Sequence, residues 1–219
     1  MKLIKNIKRF LFILRHLNAL KLLILNFTDG YLYETGWTKS AIEGKPVDKD
    51  GNPLPWISIP TIEILKEKNL SELFVFEYGS GFSTIWFSEK VKKIVSIEHD
   101  KNWFNIINSA LIKNKNCDII FKNLKYGGEY SKEIKKYNNI DIVIIDGRDR
   151  TNCLLNSVSQ LSEKGIIILD DSQRENYQKA IEEVKKTGFK TLNLVGMNVG
   201  RPMKKITTIF YREKNCLGL

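Results

Sequence analysis

A carboxylate, two glycines and two hydroxyls lie in one short run: Glu77, Gly79, Gly81, Ser83 and Thr84, directly after the apolar stretch 74–76. Glycine lets a chain turn sharply and lets a ligand approach the backbone. A helix start supplies free N–H groups. The pattern predicts a strand, a tight turn and a helix, with a nucleotide-like cofactor held at the carboxyl end of the strand. A dinucleotide fingerprint wants a third glycine, at position 84, to leave room for pyrophosphate. Here that position is Thr84. A carboxylate just before the turn repels phosphate and suits a cofactor carrying an ammonium and a sulfonium, which disfavours NAD and ATP.

Two more sets of acids stand where strands end. Glu98 closes the run 93–98, 17 positions after Gly81, which leaves room for one helix between them. An acid there is placed to accept both hydroxyls of an adenosine ribose. Asp146 follows the run 140–145, and Asp170 and Asp171 end the run 166–170. Neighbouring parallel strands bring their carboxyl ends together, and three converging carboxylates repel one another unless something positive lies between them. A Mg²⁺ ion held by Asp146, Asp170 and Asp171 would do so. Arg148 or Arg150 would do so equally well by bidentate pairing. Either arginine is also placed to bind an anionic acceptor.

The rest of the chain supplies the elements that position these groups. Short β-branched runs at 73–77, 93–98, 118–122, 140–145 and 166–170 alternate with helical stretches at 60–68, 83–90, 101–113, 151–162 and 173–187. Such alternation predicts a parallel sheet covered on both faces. Two further strands, 190–196 and 206–212, have only a Gly/Pro-bearing loop between them and predict an antiparallel hairpin at one edge. The fold class is α/β: a three-layer Rossmann-like sandwich with a mostly parallel seven-stranded sheet and an N-terminal helical extension. Three segments are expected: a basic amphipathic helix over 1–28, a Trp/Pro-rich cap with a lead-in helix over 29–70, and a cofactor-binding domain over 71–219. Residues 3–26 read as one helix, and 28–60 as turns and extended chain with Trp37 and Trp56 on the acceptor side or anchoring the loop.

The chain has 219 residues and a formal net charge of +10, and its first 28 residues hold six Lys and Arg and no acid. That imbalance points to an anionic neighbour, membrane lipid or nucleic acid, or else to a solvated basic face. The apolar runs there are too broken for a secretory signal or a span, whereas an amphipathic helix on a membrane surface fits. Cys117, Cys153 and Cys216 form no CxxC or zinc pattern, which implies a reduced, cytoplasmic setting without structural disulfides.

The order of these motifs over residues 70–219 resembles the class I S-adenosylmethionine (SAM)-dependent methyltransferases. The acids Asp146 and Asp170-Asp171 resemble the Mg²⁺ ligands of metal-dependent O-methyltransferases. Gly36-Trp37, Pro53-Leu-Pro-Trp56, Ile145-Asp-Gly-Arg-Asp-Arg150 and Asn215-Cys-Leu-Gly-Leu219 resemble a group of small bacterial methyltransferases of unassigned acceptor. The resemblance implies SAM as cofactor, held by Glu77, Gly79, Gly81, Ser83, Glu98 and Asp146. It implies methyl transfer to a hydroxyl of a small molecule or glycan, with Mg²⁺ lowering the pKa of that hydroxyl. Catechol-type enzymes carry a lysine base three residues after the first metal aspartate. Here Asp149 holds that place, so Asp146 and Asp149 are the catalytic candidates. The amino-methylating DNA enzymes of this fold carry an Asn/Asp-Pro-Pro-aromatic loop that this chain lacks, and no Pro-Cys pair serves a cytosine enzyme. RNA ribose methylation and a non-catalytic, membrane-associated binding module remain the rival readings.

Overall fold

The structure, a computed structural model, describes residues 2–219. Met1 and the side chains of Lys2, Leu3, Ile4 and Arg9, which belong to the expected N-terminal amphipathic pattern, lie outside the described residues. The chain forms two compact units. One comprises the residues up to Asn52 together with Val199–Arg201, and the other Pro53–Asn198 with Pro202–Leu219. The division thus falls at Asn52–Pro53, between the boundaries expected at 28 and 70.

The N-terminal unit is helical: α1 (Lys2–Leu14), α2 (Leu17–Thr28), α3 (Tyr31–Glu34) and α4 (Trp37–Glu43). The single helix expected over 3–26 is two, broken at Arg15 and His16. The apolar stripe of α1, Ile7, Leu11 and Leu14, would continue onto Asn18 and Lys21, so one straight helix has no continuous apolar face to offer. His16 accordingly leaves helical geometry, at φ −118° and ψ 69°. The segment expected to be extended contains α3 and α4, the latter bounded by Gly36 and Gly44.

The second unit contains α5 (Ile59–Lys66), β1 (Phe74–Tyr78), α6 (Phe82–Ser88), β2 (Lys93–Glu98), α7 (Lys101–Ala110), β3 (Cys117–Phe121), α8 (Glu129–Lys132), β4 (Ile140–Ile145), α9 (Arg150–Ser157), β5 (Leu161–Leu169), α10 (Gln178–Lys186), β6 (Lys190–Asn198) and all of β7 (Arg201–Tyr211) but its first residue. The sheet order is β3-β2-β1-β4-β5-β7-β6. Strands β1 to β5 run parallel, and β7 pairs antiparallel with β5. Alternate side chains face opposite sides of a sheet. Phe76, Tyr78, Val95, Ile97, Val143, Ile145, Ile167 and Leu169 therefore share one face, where Cys153 and Leu154 of α9 and Ala180 and Val184 of α10 cover them. Glu77 and Ser96 point to the other face.

Register decides what meets at the strand ends. Tyr78 pairs with Ile97 on one side and Ile145 on the other, and Ile145 pairs with Leu169. The residues one step beyond, Gly79, Glu98, Asp146 and Asp170, therefore stand in one row. Strand order reverses direction at β1 and β4, and in open parallel sheets that switch point is where a crevice forms.

Candidate active site

The turn after β1 is built around a buried acid. Glu77 is fully buried, and its Oε2 accepts hydrogen bonds from the hydroxyls of Thr84 and, at 2.7 Å, Ser96. Thr84 in turn accepts the N–H of Gly81 at 2.8 Å. This chain of bonds explains why position 84 is threonine: it ties the turn to the acid beneath it. Ser83, also buried, lies beside the same carboxylate. Burial pushes the Glu77 carboxyl up to about 7, against the downward pull of the Ser83, Thr84 and Ser96 hydroxyls. Glu77 therefore braces the turn from below.

Gly79 adopts φ +95°, and a Cβ there would come within 2.6 Å of the Gly147 Cα. Only glycine lets the turn after β1 lie against the turn after β4. Gly81 differs: a Cβ on it would meet nothing nearer than Trp103 Nε1 at 3.8 Å. Its bare side opens a cradle that a methyl group would fill and that a ligand can approach. Trp103 braces the turn from the other side, donating from Nε1 to the Ser80 carbonyl at 2.7 Å.

Glu98 joins this turn. Its Oε1 accepts the N–H groups of His99 and Asp100 at 2.7 and 2.8 Å, and its Oε2 accepts the Ser80 hydroxyl at 3.2 Å. His99 Nδ1 lies 2.9 Å from Oε1. The carboxylate is thus oriented at the strand end beside the glycine turn. Among the described residues, neither Glu77 nor Glu98 pairs with a lysine or arginine.

The second acid cluster does come together, but around cations of the chain itself. Arg150, buried on α9, donates to the carbonyls of Gly147, Asp146 and Asp170 and, at 2.8 Å, to Asp146 Oδ1. It lies 3.5 Å from Asp170 Oδ2 and 3.7 Å from Asp171 Oδ2. Lys205 of β7 places its Nζ 2.6 Å from Asp170 Oδ2 and 3.4 Å from Asp171 Oδ1. Thr207, two residues on and on the same face of β7, donates to Asp170 Oδ1 at 2.9 Å. Arg174 pairs with Asp171. Burial and the neighbouring Asp146 charge raise the Asp170 carboxyl, while Lys205 and Arg150 oppose that rise.

The expected Mg²⁺ site does not fit this arrangement. The oxygens of Asp170 and Asp171 face ammonium and guanidinium groups, and a divalent cation would join charges already balanced. Among the described residues no group of three or more His, Cys, Asp or Glu is disposed to hold a metal ion. Of the trio's carboxylate oxygens, Asp146 Oδ2 alone makes no hydrogen bond or ion pair among the described residues.

Asp149 does not suit the role of base. It is buried, its Oδ2 accepts the Gly127 N–H at 2.8 Å, and its Oδ1 accepts the Asn152 amide at 2.7 Å, which makes it a brace between loops. Arg150, its donors engaged, is structural. Arg148 is exposed, and its guanidinium has no partner among the described residues. The Trp56 carbonyl accepts from Lys205 at 3.3 Å, placing that residue beside the cluster. Trp37 belongs to the N-terminal unit, where its Nε1 donates to the Arg201 carbonyl at 3.0 Å. Sequence reasoning missed Lys205, Thr207 and Trp103. The signal for the first two was the alternation Lys205-x-Thr207 leading into an apolar strand.

No protein-family profile and no curated protein sequence matches the chain. Solved structures do match, and they show the fold to be that of the class I methyltransferases. Precorrin-6y C5,15-methyltransferase from Geobacter metallireducens is 16% identical at a TM-score of 0.55, over 70% of this chain and 88% of its own. A methyltransferase-like protein from Silicibacter pomeroyi is 20% identical at a TM-score of 0.52, over 74% and 90%. An O-methyltransferase from Bacillus cereus, solved in complex with SAH, is 14% identical at a TM-score of 0.52, over 64% and 74%.

Proposed function

We propose that this chain is a SAM-dependent methyltransferase that methylates a hydroxyl of a small molecule or glycan. One observation carries the reading: at the switch point Glu98 stands at the end of β2 beside a turn left open at Gly81, and among the described residues no lysine or arginine pairs with it. That suits a cationic adenosyl ligand and disfavours a diphosphate. SAM, when bound, supplies a methyl group made electrophilic by its sulfonium. Glu98 accepts the ribose hydroxyls, and Gly81 gives the ligand room against the backbone.

On the acceptor side, Asp146 is the carboxylate with an open oxygen, and its Oδ2 takes the proton of the attacking hydroxyl. Arg150 holds Asp146 in place through Oδ1. Arg148, exposed and unengaged, recognises an anionic group on the acceptor, as in a sugar acid or a nucleotide-sugar phosphate. No step requires a metal ion, because Lys205 and Arg150 already stand where one would. The Bacillus cereus O-methyltransferase supports the class of reaction by likeness of fold alone.

Calorimetry with SAM tests the cofactor assignment. Glu98→Ala should weaken binding by roughly 1–3 kcal/mol, the usual effect of losing charge-assisted hydrogen bonds. Unchanged affinity would remove the ribose role. Asp146→Asn should keep SAM affinity and lose turnover on an identified hydroxyl acceptor.

A further inference from the structure

The N-terminal unit leaves many large apolar side chains of α1 and α2 uncovered by its own fold. No residue of α2 is buried, and Leu17, Leu22, Leu23, Ile24 and Leu25 are each 49–71% exposed. On α1, Ile7, Phe10, Leu11 and Leu14 fall at helical spacing on one face, and all are exposed. Isolated surface leucines need no explanation, but so many exposed large apolar residues on two adjoining helices mark an interaction surface. At the bend between the helices Phe12, Ile13, Leu17 and Leu23 line an open groove of about 870 Å³ with Arg15 on its wall.

Charge selects the occupant. Lys5 and Lys8 stand on the arc of α1 opposite its apolar face, Arg15 at the bend and Lys21 on α2, and the first 28 residues contain no acid. Two copies of this surface brought together would oppose cation to cation. An anionic bilayer offers the complement on both counts: acyl chains for the leucines and phenylalanines, phosphates for the lysines and arginines. Among the described residues no single helix is long and apolar enough to cross a membrane; only a pair bent by 99°, Lys5–Leu14 with Leu17–Glu34, has the length and composition together. We infer that α1 and α2 lie in the interfacial plane of an anionic phospholipid bilayer, their apolar faces at the acyl boundary and their cations among the headgroups. The interaction is independent of the catalytic reading: it would hold if the chain methylated nothing.

Flotation of the full chain with vesicles tests it. Vesicles of phosphatidylcholine containing phosphatidylglycerol should carry the protein, pure phosphatidylcholine should carry far less, and added salt should release part of the bound fraction. Replacing Lys5, Lys8 and Arg15 with Gln together should lower affinity about tenfold or more. Leu22→Asn with Leu25→Asn should abolish flotation, with circular dichroism and SAM affinity unchanged. Should that variant misfold, the charge variant decides the matter alone, since its three side chains are all exposed. Equal flotation on both vesicle types, or binding that neither variant alters, would overturn the inference. So would failure to float by a chain that self-associates in light scattering and becomes monomeric on Leu22→Asn, an outcome assigning the surface to a second copy.

Discussion

Glu77 and Glu98, at the ends of β1 and β2, are held by hydroxyls and backbone N–H groups, whereas Asp146, Asp170 and Asp171, past β4 and β5, are held by Arg150, Lys205 and Arg174. Glu98, Asp146 and Asp170 stand in one row of strand ends, with Glu77 beneath the turn after β1. The first group is held by neutral dipoles alone: Glu98 stands at the strand end beside the glycine turn, where a ligand that brings positive charge suits it, while Glu77 lies fully buried beneath that turn as its brace. The second is neutralised from within, so it suits holding strands together and has little left for a metal. Acids of like position therefore read alike in a sequence and differ in function through the cations that other elements bring to them.

The difference breaks most visibly if the internal cation is removed. Arg150→Met should destabilise the fold by about 3–5 kcal/mol in urea denaturation, because a buried carboxylate loses its partner and three carbonyls lose their donor. A loss below about 1 kcal/mol would mean that Lys205 alone balances the cluster.

On the other side the relevant variable is pH. The folded-state pKa of Glu77, about 7, lies above the ordinary value of 4.5 that the unfolded chain returns to. Between those values the folded protein binds more protons than the unfolded one, so this group's contribution to stability falls as pH rises from 4.5 to about 7 and is flat above. Glu77→Gln should remove a decline of roughly 2–4 kcal/mol across that window. Parallel stability curves for the two proteins would show that the acid is not held as described.

The smallest expected effect is none at all. A chelator should change neither SAM affinity nor turnover. Lost turnover that Mg²⁺ restores would return the three aspartates to the role their spacing suggests.

The frame of the site was legible in the sequence because it rests on local signals. β-branched runs ending in Glu77, Glu98, Asp146 and Asp170 mark strand ends, and parallel pairing then aligns them. What the sequence concealed is carried by long-range partners. Lys205 lies 35 positions from Asp170, and only its alternation with Thr207 sets it apart from Lys204, which is exposed. Asp149 looked like a base because of its offset from Asp146, yet the Gly127 N–H and Asn152 claim it. Thr84 was read as a missing glycine, and its meaning appears only with Glu77 below it. The break between α1 and α2 was foreshadowed by Asn18 and Lys21, which interrupt the stripe.

The contact between Gly79 and Gly147 bears on how such a protein could be re-engineered. A Cβ on Gly147 would come 2.1 Å from the Tyr130 hydroxyl and 2.9 Å from the Gly79 nitrogen. Libraries that randomise this loop would lose every member carrying a bulkier residue there. Diversity should instead enter one step along, at Arg148, where the side chain is exposed and the contact between the two glycine turns stays intact.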